Sequence, residues 1–341
     1  MSSLLYSGVI SKVKAMSKDL LSIDDFSKIS ELKTVSEFVN YLKIHEGYKE
    51  FFTNCNENTI HRSEVEQILR GAIYKDFSKI YKYSTSVNRY VFKPFIIKAE
   101  IAVLKHCLLR ILSINTEFDI PDYKDFFVTH SSFDIEVLMN CKTINELTNN
   151  LEGTRYHKIF QKFSSGGGYK TLFDYEMDLD IFYFKEIWSL KNKYMTGSSK
   201  RGYSKYLGKE IDLLNIISIY RSKKYYQVDN NTILSVIIPI NYRISKDELH
   251  ELIDASSIEE FLSKVQNTKY KKDLEILDSQ KSLDRLTRAI IEKTIKSNSD
   301  YDFMPIMKYL YLKEKEIDRL TTALECIRYG LPSKEIFEYI V

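Results

Sequence analysis

The chain has 341 residues, 50 Lys and Arg against 47 Asp and Glu, and a net charge of +3. It is 44% apolar and 28% charged, with only 11 Gly and 5 Pro. That is ordinary for a folded protein and favours helices over a turn-rich β fold, and the mixed charges argue against the segregated basic face of a nucleic-acid binder.

The first predicted helix covers residues 4 to 21, with Leu5, Val9, Val13, Met16 and Leu20 on one stripe. A short pattern follows and occurs three times. Ser22, Ser131 and Ser245 each have an acid three residues on (Asp25, Asp134, Glu248) and an apolar residue after it (Phe26, Ile135, Leu249). Twelve residues later come Thr34, Thr143 and Ser257, again with Glu at the third position (Glu37, Glu146, Glu260) and an apolar follower (Phe38, Leu147, Phe261). Tyr48, Tyr156 and Tyr270 close the copies. A hydroxyl followed by an acid at the third position is a capping box, so each copy predicts two short helices joined by a tight turn. Six boxes in register mark an internally triplicated, all-α protein.

Between the copies, Thr59 to Tyr83 carries a helical stripe of Val65, Ile68, Leu69, Ile73, Phe77 and Ile80. Pro94 suits a helix start, and Phe95 to Leu112 follows as a long apolar helix. Gly166 to Gly168 read as a loop, since they lack the Gly-Lys-Ser/Thr ending of a phosphate-binding loop. Leu172 to Tyr194 is helical. Its acids Asp174, Glu176, Asp178 and Asp180 read as a solvated face rather than a calcium loop. Thr196 to Tyr203 is expected to be a flexible basic turn, followed by one helix from Lys209 to Tyr226. Ile233 to Ile240 reads as a buried helix or connector. After the third copy come helices at Ser282 to Ile295 and Met307 to Tyr329, the latter stopped by Gly330-Leu331-Pro332. Ser333 is expected to cap a terminal helix. The units are drawn at residues 1–91, 92–200 and 201–341.

A second repeat lies in the long helices: Glu100-Ile101, Glu210-Ile211 and Glu316-Ile317, with Arg110, Arg221 and Arg328 ten to twelve residues later. An acid early and a guanidinium late also complement the helix dipole. Three such units are expected to close around a pseudo-threefold axis and enclose a shallow cavity.

No catalytic constellation can be assembled. The histidines are scattered, and neither H-E-x-x-H, G-x-S-x-G nor a phosphate-loop motif occurs. Cys55, Cys107, Cys141 and Cys326 lie far apart and read as reduced thiols of a cytoplasmic protein. No cofactor, metal or nucleic acid is expected, and no stretch is long and apolar enough to span a membrane.

Glu210, Asp212, Asn215, Arg221 and Lys223 fit an E-x-D-x-x-N-x-x-x-x-x-R-x-K stretch, and Tyr309 to Ile317 with Gly330-Leu331-Pro332 form a C-terminal signature. On these residues the chain resembles the C subunit of archaeal and bacterial V-type (A-type) ATPases, the family that includes the d subunit of eukaryotic V-ATPases. The resemblance runs the whole length. It departs at Val13 or Lys14, where the family often has Arg, and at Asp318 or Arg319, where it often has Asn. It implies an all-helical funnel of three domains and a non-catalytic rotor part. The implied partners are the central-stalk subunits (D and F type) and the membrane rotor ring, which carries H⁺ or Na⁺. The part would be a monomer alone, one copy per complex, peripheral on the cytoplasmic face of the membrane. The expected contact residues are Arg110, Arg221 and Arg328 at helix ends, with Lys200 and Arg201. The rival reading is a helical adaptor unrelated to rotary ATPases.

Overall fold

The computed structural model describes residues 6–85, 89–112, 124–165, 171–272, 274, 280–297 and 303–341, and shows no strand among them. The expected all-α class is what the chain adopts. The glycine run at 166–168 lies outside the described residues. Two compact units emerge: Met1–Phe92 with Glu117–Met139 and Pro305–Val341, and Lys93–Thr116 with Asn140–Met304.

Capping sets the short helices, and it divides into two kinds. The first helix of the first and third copies carries a reciprocal box. The Ser22 hydroxyl accepts the Asp25 amide at 3.2 Å while Asp25 accepts the Ser22 amide at 2.8 Å, and Ser245 with Glu248 repeats this. The second helix of every copy does something different. Thr34, Thr143 and Ser257 accept the amides of Glu37, Glu146 and Glu260 at 3.1 Å each. The glutamates then reach one residue further back, to the amides of Lys33, Lys142 and Ser256. Those amides belong to the turn, so each Glu fastens the turn to the helix it begins. The middle copy breaks the rule at Ser131. There Asp134 itself is the cap, accepting the amides of Glu136 and Val137, and Ser131 accepts from Phe133.

Asp25 makes this capping pH-dependent. Partial burial alone would raise its pKa, but the Ser22 hydroxyl, the Tyr41 hydroxyl and the Ser22 amide outweigh it and lower the pKa from 3.8 to about 2. A carboxylate with a depressed folded pKa stabilises fully above its unfolded value and loses that contribution as pH falls through the folded one. Urea melts across that window should show the wild type losing about 1–2 kcal/mol more than Asp25→Asn, allowing for partial exposure. Parallel curves would show that the box is not ionic.

In the first unit, Ser7–Met16 buries Val9, Val13 and Met16 before a 3₁₀ turn at Ser17–Asp19. Helices Ile23–Glu31 and Val35–Ile44 bury Phe26, Ile29, Phe38, Val39 and Leu42. Arg62–Lys82 buries most of the expected stripe, and Phe77 packs edge-on against Phe92 and Phe126 at centroid distances of 5.3 and 5.2 Å. The long Met304–Arg328 helix, from the far end of the sequence, belongs to this same unit. Its C-terminus is a Schellman turn: the Leu331 amide donates to the Cys326 carbonyl, the Gly330 amide to Ile327, and Gly330 sits at φ +66°. The terminal helix Ser333–Ile340 then packs on Ile23–Glu31. Ser333 is its first residue and not its cap, which is Pro332; the Ser333 hydroxyl lies 3.3 Å from that of Ser30.

In the second unit, Lys93–Leu112 packs along Leu172–Tyr194, and Gly197–Arg221 packs on Gln280–Ser297 and Lys246–Asp254. The expected flexible turn at 196–203 is instead the start of this 25-residue helix, because Tyr203 and Leu207 are buried on the stripe that continues through Ile211. The helix ends at Arg221 and passes into a π turn, Ser222–Tyr226, closed by Gln227 at φ +49°. Gly208, inside that helix, lets the Tyr242 ring lie where a Cβ would be. Residues 233–240 combine a short helix, Asn230–Ser235, with a connector that buries Ile237, Ile238 and Ile240.

Candidate functional site

The tyrosine that closes each copy has one job throughout. Its hydroxyl donates to a buried carboxylate on a long helix: Tyr156 to Glu100 Oε2 at 2.7 Å, Tyr270 to Asp212 Oδ2 at 2.9 Å, and Tyr48 to Glu316 Oε1 at 2.7 Å. Burial, followed by the facing carboxylate, raises all three phenol pKa values, so the tyrosines remain donors. The acids expected as a repeat are Glu100, Glu210 and Glu316; the structure uses Asp212 in place of Glu210. Two residues along a helix is a rotation of about 200°, which turns Asp212 to the covered side and leaves Glu210 half-buried. Tyr156→Phe should cost about 1.5–3 kcal/mol in a urea melt, the value of a buried hydrogen bond to a charged group. A loss within experimental error would show that water replaces the hydroxyl.

Around Tyr48 the lock widens into a network. Glu316 Oε2 also accepts the Leu21 amide at 2.5 Å, and Lys313 Nζ lies 2.9 Å from Glu316 Oε1 and 3.8 Å from the Tyr48 ring centroid. Nearby, the Tyr309 hydroxyl donates to Asp76 Oδ2 at 2.7 Å, and Lys79 approaches Asp76 at 3.4 Å. Lys313, Glu316 and Asp76 are 1%, 4% and 5% exposed. Burial raises the Asp76 pKa, with the Lys313 ammonium the first influence opposing it. Such a cluster, closed off from solvent, fixes geometry rather than meeting a substrate.

The expected contact residues sit at the ends of three helices. Lys200 and Arg201 occupy the first turns of Gly197–Arg221, and Arg221 ends it. At 1.5 Å per residue, the Lys200 and Arg221 backbones are about 30 Å apart. Arg110 ends Lys93–Leu112, where its charge reaches the buried Cys107 and Cys141. Arg328 is exposed at the end of Met304–Arg328, in the other unit, over the Tyr329 ring at 5.3 Å. The sequence pattern did not reveal what lies beside Lys200. Lys191 is buried on the Trp188 ring, 3.1 Å from its centroid, and Lys93 and Lys193 flank the Tyr194 ring at 5.1 and 5.2 Å. The i, i+3 spacing of Trp188 and Lys191 was the available signal.

Elsewhere in the first unit, a surface groove of about 580 Å³ with a mixed lining runs along Met304–Arg328, where Arg62, Arg70, Asp318 and Glu325 sit beside Ile317, Leu331 and Tyr339. Asp174 caps its own helix and Asp180 pairs with Lys105 at 2.7 Å. No cluster of metal-ligating side chains occurs among the described residues, and no helix among them is long and apolar enough to cross a membrane.

The chain is 23% identical to the C subunit of the A-type ATP synthase of Thermococcus kodakarensis over 345 residues, covering 98% of this chain and 90% of that one. It is 22% identical to the Archaeoglobus fulgidus protein of the same name, covering 98% and 95%. For that of Methanosphaera stadtmanae the identity is 22%, covering 97% and 86%. Residues 9–339 match the family described as ATP synthase (C/AC39) subunit. An all-helical chain that aligns with these relatives from end to end belongs to the ATP synthase (C/AC39) subunit family.

Proposed function

We propose that this chain is the non-catalytic part of a rotary ATPase that joins the central stalk to the membrane rotor ring, passing torque between ATP chemistry and the movement of H⁺ or Na⁺. The observation that carries the reading is the end-to-end match to the C subunits of A-type ATP synthases. The physical character of the molecule supports it. A torque-bearing part must resist deformation, and each copy here is fixed to a long helix by a buried tyrosine–carboxylate hydrogen bond.

Three repeats, each a capped hairpin bound to a long helix, are part of the proposal, as is their closure into a funnel. In this reading the stalk subunits of D and F type and the ring are the partners. Arg110, Lys200, Arg201, Arg221 and Arg328 are contact residues, and the protein sits peripherally on the cytoplasmic face. Tagged protein captured from native membranes, with identification of co-purifying chains, tests this. Recovery of stalk and ring subunits supports the role. Recovery of neither, with intact protein in hand, favours the unrelated adaptor.

A further inference from the structure

A second hollow opens in the first unit, beside the helix Arg62–Lys82, with a volume of about 380 Å³. Three elements meet there: that helix, the short helix Lys49–Phe52 and the start of Lys124–His130. Lys75, Lys79 and Lys82 line it at i, i+4 and i+7, within about 60° of one another around the helix axis. Phe51, Tyr74 and Phe126 supply its rings. The Lys75 and Lys79 ammoniums lie 5.4 and 5.3 Å from the Phe51 ring centroid, and Tyr74 packs on Phe126 at 4.7 Å. Phe51 and Phe126 are buried, so half-buried Tyr74 is the ring with surface to offer.

Like charges at this spacing repel one another, and the hollow does not neutralise them all. Lys79 pairs with Glu50 and approaches Asp76 at 3.4 Å. Neither Lys75 nor Lys82 pairs with a carboxylate among the described residues. Besides Glu50, the lining holds one acid, the exposed Asp125. Ser78 already donates its hydroxyl to the Tyr74 carbonyl at 2.9 Å, which leaves the ammoniums as the strongest donors.

We propose that this hollow is a binding site for a nucleoside phosphate, with the base against the Tyr74 ring and the phosphate among Lys75, Lys79 and Lys82. Ammoniums suit a phosphate as point charges, and an aromatic face stacks on any base. Neither feature alone specifies a class, since lysines take any anion and rings any apolar body. Their meeting in one hollow calls for a flat ring and a charged group on the same small molecule. A volume of about 380 Å³ is near the lower end for ligand sites. It suits one base, one sugar and one phosphate, and is too small for a dinucleotide. The Lys79–Glu50 pair is partly exposed and such pairs are worth little, so the phosphate displaces Glu50. The inference stands on the chemistry of the hollow and does not depend on the stalk-to-ring role.

The test uses the full chain, titrated by calorimetry at constant ionic strength with AMP, adenosine and ribose 5-phosphate. AMP should bind about tenfold or more tighter than either fragment, because it alone engages the rings and the ammoniums together. Lys75→Gln and Lys82→Gln should each weaken AMP binding about tenfold, the worth of one charge-assisted contact. Both lysines are exposed, so neither substitution disturbs the core. Glu50→Gln should tighten binding by removing the competing carboxylate, while Lys271→Gln, in the other unit, should leave it unchanged. Equal affinity for AMP and ribose 5-phosphate would reduce the hollow to a basic surface and overturn the proposal. Absence of saturable AMP binding, or binding that survives both lysine substitutions, overturns it as well.

Discussion

Lys313→Met should lower the unfolding free energy by about 3–5 kcal/mol, the cost of removing one partner from a buried ion pair. Met fills nearly the same space, so the loss reports charge rather than packing. Glu316 would keep the Tyr48 hydroxyl and the Leu21 amide but lose the cation beside it. Asp76 would lose the first influence that opposes its burial. The pH dependence has a definite sign. The folded pKa of Asp76 is already raised above its unfolded value, so folding favours its protonated form. Its ionisation costs stability as pH rises through the folded value. Removing the ammonium raises that value further. Urea melts of Lys313→Met should therefore recover part of the loss between neutral and mildly acidic pH, whereas the wild type should recover less. A pH-independent loss would implicate packing and sink the electrostatic account.

Asp212→Ala should cost about 4 kcal/mol or more. One carboxylate there accepts four hydrogen bonds: the Tyr242 amide at 3.3 Å, the Arg243 amide at 2.7 Å, the Ile244 amide at 3.3 Å and the Tyr270 hydroxyl at 2.9 Å. Each buried donor left without an acceptor costs about 1–3 kcal/mol. Three of the four lie in the turn leading to the third hairpin, so amide hydrogen exchange should accelerate first at Tyr242, Arg243 and Ile244. Asp212→Asn separates charge from shape. Whichever way the amide turns, its NH₂ faces a donor where an oxygen stood, and its loss should fall between zero and that of Ala. Unchanged exchange in the turn would show that another group fixes it.

The repeated elements were legible because local chemistry determines them. A hydroxyl and a carboxylate three residues apart can be read without knowing the fold, and five of the six expected caps are in place. Ser131 failed because the helix begins three residues later than expected, with Asp134 as its cap on the Glu136 and Val137 amides, and Ser131 accepts from Phe133 instead. The closing tyrosines were visible as a pattern, but their partners were not, since Glu100 lies 56 residues from Tyr156. Choosing Asp212 over Glu210 required knowing which face of the helix is covered. The stretch 196–203 misled for a related reason: Gly, Ser and Lys favour a turn by propensity, and burial of Tyr203 and Leu207 overrode it. Lys191 was hidden because a lysine in an amphipathic helix looks solvated until its neighbours are known.

The first hairpin is fastened to a long helix that the ribosome makes much later. Tyr48 and Glu316 are 268 residues apart, and at ~5–20 residues per second that gap takes about 13–54 seconds to translate. Within that interval the second and third hairpins are each made after the long helix that holds them, while the first waits with Phe26 and Tyr48 lacking their partners on Met304–Arg328. Any chaperone that meets this chain during synthesis would find its target in the hairpin made long before its partner helix. A premature stop before Met304 would leave that hairpin permanently unfinished.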